Sequence, residues 1–455
     1  MVRRSFFIKS TLTLAISAIV LCACATASDM SPVNIPRSAA APVMSAAPSD
    51  RGLSGEVVAL AFSGGGARSA AFSWGVLLEM RDQRRADGQR WIDQVAFVTG
   101  VSGGAFTAAW FGVHGADGLD GFRGALLDKD WQGQVHDHLA WPGNWRPLAR
   151  GGINGRDRIA DWLDREVYSH AHMSDLAGPP ILLNAVELYT GMPFVFAEPW
   201  FDALCSDLRA VRVADAVAAS AAYPFAVRPV VLGAYGQGCD RSLPAWVGAA
   251  ARDPETPQVE RDTARSFQTF RDPAQIRFLH LLDGGVIDNF GLSGIAVLQR
   301  AGGLPYGPLL APGDVVRMTR LRVIVVNGEK SSRRSWGQTR AGPNGMQVMA
   351  AIADHSTDAA KRNAYDAFVE RLAHWEQDSI AWRCSLTLEE ARRMGAPDGW
   401  NCADLHYTAE IVGFTDLPVE QAHALLDVPT RLSLPANQID LAVSAGKAVI
   451  AQRLP

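Results

Sequence analysis

Three short glycine-rich segments hold the residues best suited to chemistry. Gly100-Val101-Ser102-Gly103-Gly104 fits the pattern G-x-S-x-G, in which a serine stands on a sharp turn between a strand and a helix. Residues without side chains on either side tolerate the strained backbone. The hydroxyl then projects at a helix N-terminus, where free N–H groups favour developing negative charge. That is how a serine nucleophile is presented. Gly64-Gly65-Gly66-Ala67-Arg68 also follows an apolar run, and consecutive glycines can turn several N–H groups toward one point, suiting an oxyanion or a phosphate. No G-K-[ST] follows, so it is not a P-loop, and Ser69 stands where a dinucleotide fingerprint needs its last glycine. Arg68 is the candidate for attracting an anionic head group. Asp283-Gly284-Gly285 closes a third apolar run and could bring a carboxylate against another loop. Each segment alone also fits a plain turn with an idle serine, a surface arginine or an unremarkable Asp-Gly-Gly.

The elements that must position these residues are legible as apolar runs. Val57–Phe62, Val95–Thr99, Ile181–Val186, Ile276–Leu282 and Leu321–Val326 read as buried strands. Phe72, Val76, Leu77 and Met80 recur at helical spacing, and Ala105–Val113 reads as a buried helix. Long helices are expected at Met346–Glu376, Pro418–Leu425 and Ile439–Arg453. Strands alternating with helices predict an α/β fold, a mostly parallel sheet flanked by helices on both faces. In such sheets sites form beyond the C-terminal ends of the strands, which is where all three segments are expected. Residues 114–175 and 233–273 read as insertions on this core, the second polar and loop-like.

In this order the three segments resemble those of the patatin-like phospholipase family. Ala218-Ala219-Ser220-Ala221-Ala222-Tyr223-Pro224-Phe225 is similar to the family's A-S-x-A-x-P stretch, and Asp283-Gly284-Gly285-Val286-Ile287-Asp288-Asn289-Phe290-Gly291 to its D-G-G-x-x-D-N-x-P, with Gly291 in place of the proline. The resemblance covers about residues 56 to 295. It implies a three-layer patatin-like sandwich and a lipid acyl hydrolase, acting on phospholipid, lysophospholipid or a related acyl ester through an acyl-serine intermediate. It further implies a Ser–Asp dyad without histidine: Ser102 as nucleophile, Asp283 as base, and the N–H groups of Gly64, Gly65 and Gly66, with that of Gly103, as the oxyanion hole. No cofactor is implied.

The N-terminus reads as an address. Arg3, Arg4 and Lys9 precede the apolar stretch Leu12–Leu21, and Leu21-Cys22-Ala23-Cys24 resembles a bacterial lipobox. Residues 1–23 are thus expected to be a signal peptide, with Cys24 lipidated and the protein anchored in the bacterial cell envelope. Ala25 after the cysteine favours the outer membrane, by analogy with enterobacterial lipoproteins. A plain signal peptide cleaved near Ala25 or Ala27 is the alternative. Residues 24–54, rich in Ala, Ser and Pro, read as a flexible tether. The catalytic core is expected over 55–300, with 301–455 as a C-terminal extension completing the same domain.

The remaining cysteines, Cys205, Cys239, Cys384 and Cys402, suggest disulfides in an exported protein. Cys205–Cys239 with Cys384–Cys402 is the shortest-loop choice, and four separate buried thiols remain the alternative. A metal site is not expected: His136 with His138 and His170 with His172 have strand-like ligand spacing but no further ligand in view. Trp131, Trp141 and Trp145, with Leu126 and Leu127, could form an interfacial face or a satellite apolar cluster. A net charge of −4 gives no electrostatic reason to expect nucleic acid. Two rival readings stay open: an α/β-hydrolase with a Ser–His–Asp triad using His406 or His423, and a non-catalytic lipid-binding envelope lipoprotein.

Overall fold

The computed structural model describes residues 30–38, 48–129, 152–154, 159–329, 336, 340 and 342–454. Its strands are β1 (Gly55–Phe62), β2 (Val95–Val101), β3 (Gly152–Asn154), β4 (Ile181–Glu187), β5 (Met192–Val195), β6 (Phe225–Val227), β7 (Val230–Gly233), β8 (Phe278–Asp283), β9 (Met318–Asn327) and β10 (His406–Gly413). The main sheet runs β10-β9-β1-β2-β4-β8-β7, with β5 on β4, while β3 and β6 form a separate ribbon. From β10 to β4 the strands are parallel; β8 is antiparallel to β4 and β7 to β8. Every residue of β2 and β4 is buried, as expected of parallel strands covered on both faces. The fold is a mixed α/β sandwich with a mostly parallel central sheet.

Two helices follow the glycine turns directly: α1 (Gly66–Asp82) after β1 and α2 (Gly103–His114) after β2. The others used below are α3 (Val213–Ser220), α4 (Ala245–Arg252), α5 (Gln258–Arg271), α6 (Gly345–Ser385), α7 (Val419–Asp427) and α8 (Ala436–Ala451). Helix α8 lies on α1 at backbone contact: a Cβ on Gly446 would sit 2.1 Å from Phe72 O, and one on Gly75 2.3 Å from Val443 O. Helix α6 runs nine residues past the expected end at Glu376. It starts at a reciprocal Asn344–Gln347 capping box, and Arg383 in its last turn donates to the carbonyls of Met318 and Asp404.

The C-terminal third is built into the sheet rather than appended to it: β9 pairs with β1 along its length and β10 with β9. Two expectations change. Residues 233–273 hold α4 and α5, not a polar loop. Helix α5 is polar overall, yet Ala264, Phe267 and Phe270 turn one stripe into the core. The expected tether is partly ordered on the body. Val33 N–H donates to Val231 O (3.0 Å), and the Asn34 amide exchanges hydrogen bonds with both backbone groups of Gly233 (2.7 and 2.9 Å). These contacts cover the outer edge of β7, an edge that would otherwise invite pairing with another chain. Leu53 is buried, and its N–H donates to Asp314. The expected signal peptide and Cys24 lie outside the described residues, as do Trp131, Trp141 and Trp145; Leu126 and Leu127 are buried. Cys205 is bonded to Cys239 and Cys384 to Cys402.

Candidate active site

Strand register brings the three segments to one height. Phe62 pairs with Gly100, so Gly64 arrives opposite Ser102. Val101 pairs with Asn184 and Ala185 with Asp283, so Ser102 and Asp283 stand level on either side of β4. The direction of β8 differs from the expectation of a parallel catalytic strand. It descends toward the site, and Asp283 reaches Ser102 because β4 extends past the end of β2.

Ser102 holds φ 49° and ψ −115°, between β2 and the first turn of α2. A non-glycine residue keeps such a backbone only where its surroundings enforce it. Here they do. Ser102 N–H donates to Ser220 Oγ (2.9 Å), and Ser220 Oγ in turn donates to Asn184 O (2.5 Å). Asn184 Nδ2 donates to Thr99 Oγ1 (2.7 Å) and Gly100 O (2.9 Å), and Thr99 Oγ1 to Gly291 O (3.0 Å). Buried Asp288 accepts the N–H groups of Gly291 (2.9 Å) and Ser293 (2.6 Å), locking the chain beyond Asp283. Glycine is required at 103 and 104, since a Cβ would sit 2.2 Å from Gly66 O at the first and 2.3 Å from Phe62 O at the second.

Ser102 Oγ donates to Asp283 Oδ2 at 2.7 Å. The other carboxylate oxygen accepts Gly285 N–H at 2.8 Å. Asp283 is 6% exposed. Burial pushes its pKa up to about 6, although the bonds from Ser102 and Gly285 pull the other way; the nearby charge of Glu329 adds to the rise. The result is a carboxylate more basic than usual and still ionised at neutral pH.

The glycine turn wraps over this pair. Gly65 and Gly66 hold φ 140° and 65°, positions open to glycine without strain. As the N-cap and first residue of α1, they have N–H groups with no acceptor within the helix. Gly64 is different: its N–H is committed to Asn289, whose backbone oxygen and Oδ1 both lie at 3.2 Å. That bond removes Gly64 from the expected set of oxyanion donors. Arg68 does not face the site either. Its side chain is fully buried, donating to Gly328 O (3.0 Å), to Val428 O (2.5 Å) and to Thr430 Oγ1 (3.1 Å). It ties α1 to the C-terminal segment instead of waiting for a head group. Arg431 O accepts Ala67 N–H at 2.8 Å in the same place.

No described histidine hydrogen-bonds to Ser102 or Asp283. His280 is exposed on the face of β8 opposite Asp283. His406 opens β10 at the far end of the sheet, paired with Arg320, and His423 is exposed on α7. His170 contacts Asp164 at 2.8 Å, while His136 and His138 lie outside the described residues. Among the described residues no group of three or more His, Cys, Asp or Glu side chains is arranged to hold a metal. Asn184 was not singled out by sequence, because a buried hydrogen-bonding Asn leaves no periodic or spacing signal, while Ser220 and Asn289 stood in the family-like stretches without an assigned role.

Residues 60–295, just over half of the chain, match the family model described as patatin-like phospholipase. No curated protein matched the chain.

Proposed function

The chain belongs to the patatin-like phospholipase family, a family of lipid acyl hydrolases, and on that premise we propose that it cleaves carboxylic esters of membrane lipids through an acyl-enzyme on a Ser102–Asp283 dyad. The 2.7 Å contact between Ser102 Oγ and Asp283 Oδ2 carries this reading. Asp283 takes the hydroxyl proton as Ser102 Oγ attacks the ester carbonyl carbon. The tetrahedral oxyanion lies against the N–H groups of Gly65, Gly66 and Gly103, each such donor being worth roughly 3 kcal/mol. The intermediate collapses as the C–O bond to the alcohol breaks, and Asp283 returns its proton to that oxygen. Water then attacks the acyl-Ser102 ester with Asp283 again the base, releasing the fatty acid and restoring the hydroxyl. A carboxylate is a weaker base than imidazole, so its burial and the glycine turn supply what histidine would otherwise contribute.

Ser102→Ala is expected to abolish hydrolysis of both lysophospholipid and a short-chain nitrophenyl ester while leaving the circular-dichroism spectrum and Tm within error. Retained turnover in that variant would remove the proposal. The lipobox-like Leu21–Cys24 supports a second part of the reading, an envelope protein anchored through lipid on Cys24. Radiolabelled palmitate is expected in the protein made in cells and absent from Cys24→Ala; equal labelling of the two would rule the anchor out.

A further inference from the structure

Helix α6 extends well beyond the sheet on the side of the catalytic residues. Tyr365 OH donates to Ala409 O (3.2 Å), and Glu376 accepts the N–H of Tyr407 (2.5 Å), so α6 runs antiparallel to β10. Lys361 pairs with Glu329, just past the end of β9. The turns of α6 before Lys361, starting at Gly345, therefore project some 24 Å past that edge at a rise of about 1.5 Å per residue.

One face of the projecting end is apolar and exposed, while Ala351 on its other side is buried. Val348, Met349 and Ile352 are 40%, 64% and 54% exposed, and their spacing puts them on one helical face. No charged residue occurs between Gly345 and Ala353. A second apolar projection rises from the dyad's own side of the sheet. The turn after β4 exposes Leu188 (49%) and Tyr189 (64%), and Leu188 is tied to His280 O on β8. Leu188 is three residues beyond Ala185, the partner of Asp283, hence about 10 Å above the dyad at roughly 3.3 Å per residue.

The length of chain before Met30 bounds how far an anchor can lie from these surfaces. The N-terminal segment lies along β7 and ascends with it, Val33 bonding Val231 and Asn34 bonding Gly233. Met30 and Ser31 line a cavity of about 420 Å³ with Arg228, Pro229 and Val230, and the β7–β8 register puts Arg228 level with Asp283. From Cys24 to Met30 the chain reaches at most about 21 Å at roughly 3.5 Å per residue. A lipid on Cys24 would thus hold the catalytic edge within about the height to which α6 projects. The exposed, uncharged apolar face of α6 has the character of an interfacial contact.

We propose that the α6 face Val348–Met349–Ile352, with Leu188 and Tyr189, seats the catalytic edge on the bilayer to which the protein is anchored. The proposal rests on the lipid-hydrolase reading above, and its test separates the two. Full-length Val348→Asp/Met349→Asp/Ile352→Asp and Leu188→Glu/Tyr189→Glu proteins, anchored in phosphatidylethanolamine–phosphatidylglycerol vesicles, are assayed on vesicle phospholipid and on a water-soluble short-chain ester. Each set is expected to lose at least tenfold on vesicle lipid and to stay within twofold on the soluble ester. Equal effects on the two substrates, or none on either, overturn the proposal while leaving the hydrolase reading standing. Independently of catalysis, the Ser102→Ala protein in vesicles carrying a photoactivatable acyl chain is expected to cross-link through the peptide holding residues 345–352. Cross-links confined to the lipidated N-terminus, or a dimer joined through α6, would overturn it.

Discussion

Replacing Asp283 by Asn should inactivate the protein and stabilise it. Burial raises the pKa of Asp283 to about 6 from the ordinary 3.8. Between about pH 4 and 6 the folded protein then binds a proton that the unfolded chain has released, so stability falls as pH rises through that window and levels off above it. Keeping the group ionised at pH 8 costs roughly 3 kcal/mol. An asparagine has the same shape and can satisfy both neighbours, its oxygen accepting Gly285 N–H and its NH2 group donating to Ser102 Oγ, with no charge to desolvate. At roughly 2 cal/mol/K per residue, 3 kcal/mol is about 3–4 °C of Tm for a body of this size. Scanning calorimetry of wild type and Asp283→Asn from pH 3.5 to 8 should show coincident Tm values at the acid end, divergence between pH 4 and 6, and a constant gap in favour of the variant above that. In parallel, wild-type kcat/KM should fall below about pH 6, and the variant should lose at least about a hundredfold at pH 8. Parallel Tm profiles, or a variant less stable than wild type at pH 8, would refute the claim that desolvation sets the basicity of this carboxylate.

Two further substitutions probe the turn above the dyad. A Cβ at Gly64 would sit 2.2 Å from Asn289 Oδ1 and 3.4 Å from Ser102 Cβ; Gly64→Ala is expected to lower kcat on a soluble ester by tenfold or more, through displacement of the turn. Arg68→Met should leave the buried carbonyls of Gly328 and Val428 without their donor, destabilising the protein by about 2–4 kcal/mol in urea unfolding; an unchanged midpoint would mean that Arg68 does not hold the C-terminal segment.

Sequence made the site legible and left its connections hidden, for physical reasons that differ from residue to residue. Ser102 and Asp283 could be found because each ends an apolar run at glycines, a local signal. Their meeting depends on register across β2, β4 and β8, which no local pattern encodes. The antiparallel course of β8 escaped for the same reason, since an apolar run carries no direction. Arg68 was misread because the partners that bury it, Val428 and Thr430, lie far along the chain. Helix α5 was taken for a loop because a mostly polar surface helix buries only a narrow stripe, and α4 because eight residues are too few to show a period. The segment 30–38 looked like a tether because its docking relies on Asn34 and Arg37 hydrogen bonds rather than on an apolar face.

These hidden connections bear on how the family core works in this chain. The matched region ends at residue 295, yet the glycine turn has a C-terminal boundary. Ala67 N–H and the Arg68 guanidinium end on residues 428–431, and Gly328 closes over Ser69 on the other side. Glu329, one residue on, both raises the pKa of Asp283 and is held by Lys361 of α6. The helix whose projecting end we assign to the membrane therefore also pairs, through Lys361, with a charge that acts on Asp283. The part of the chain that the family model does not match bounds the glycine turn and carries Glu329, so the site is not built from the matched core alone.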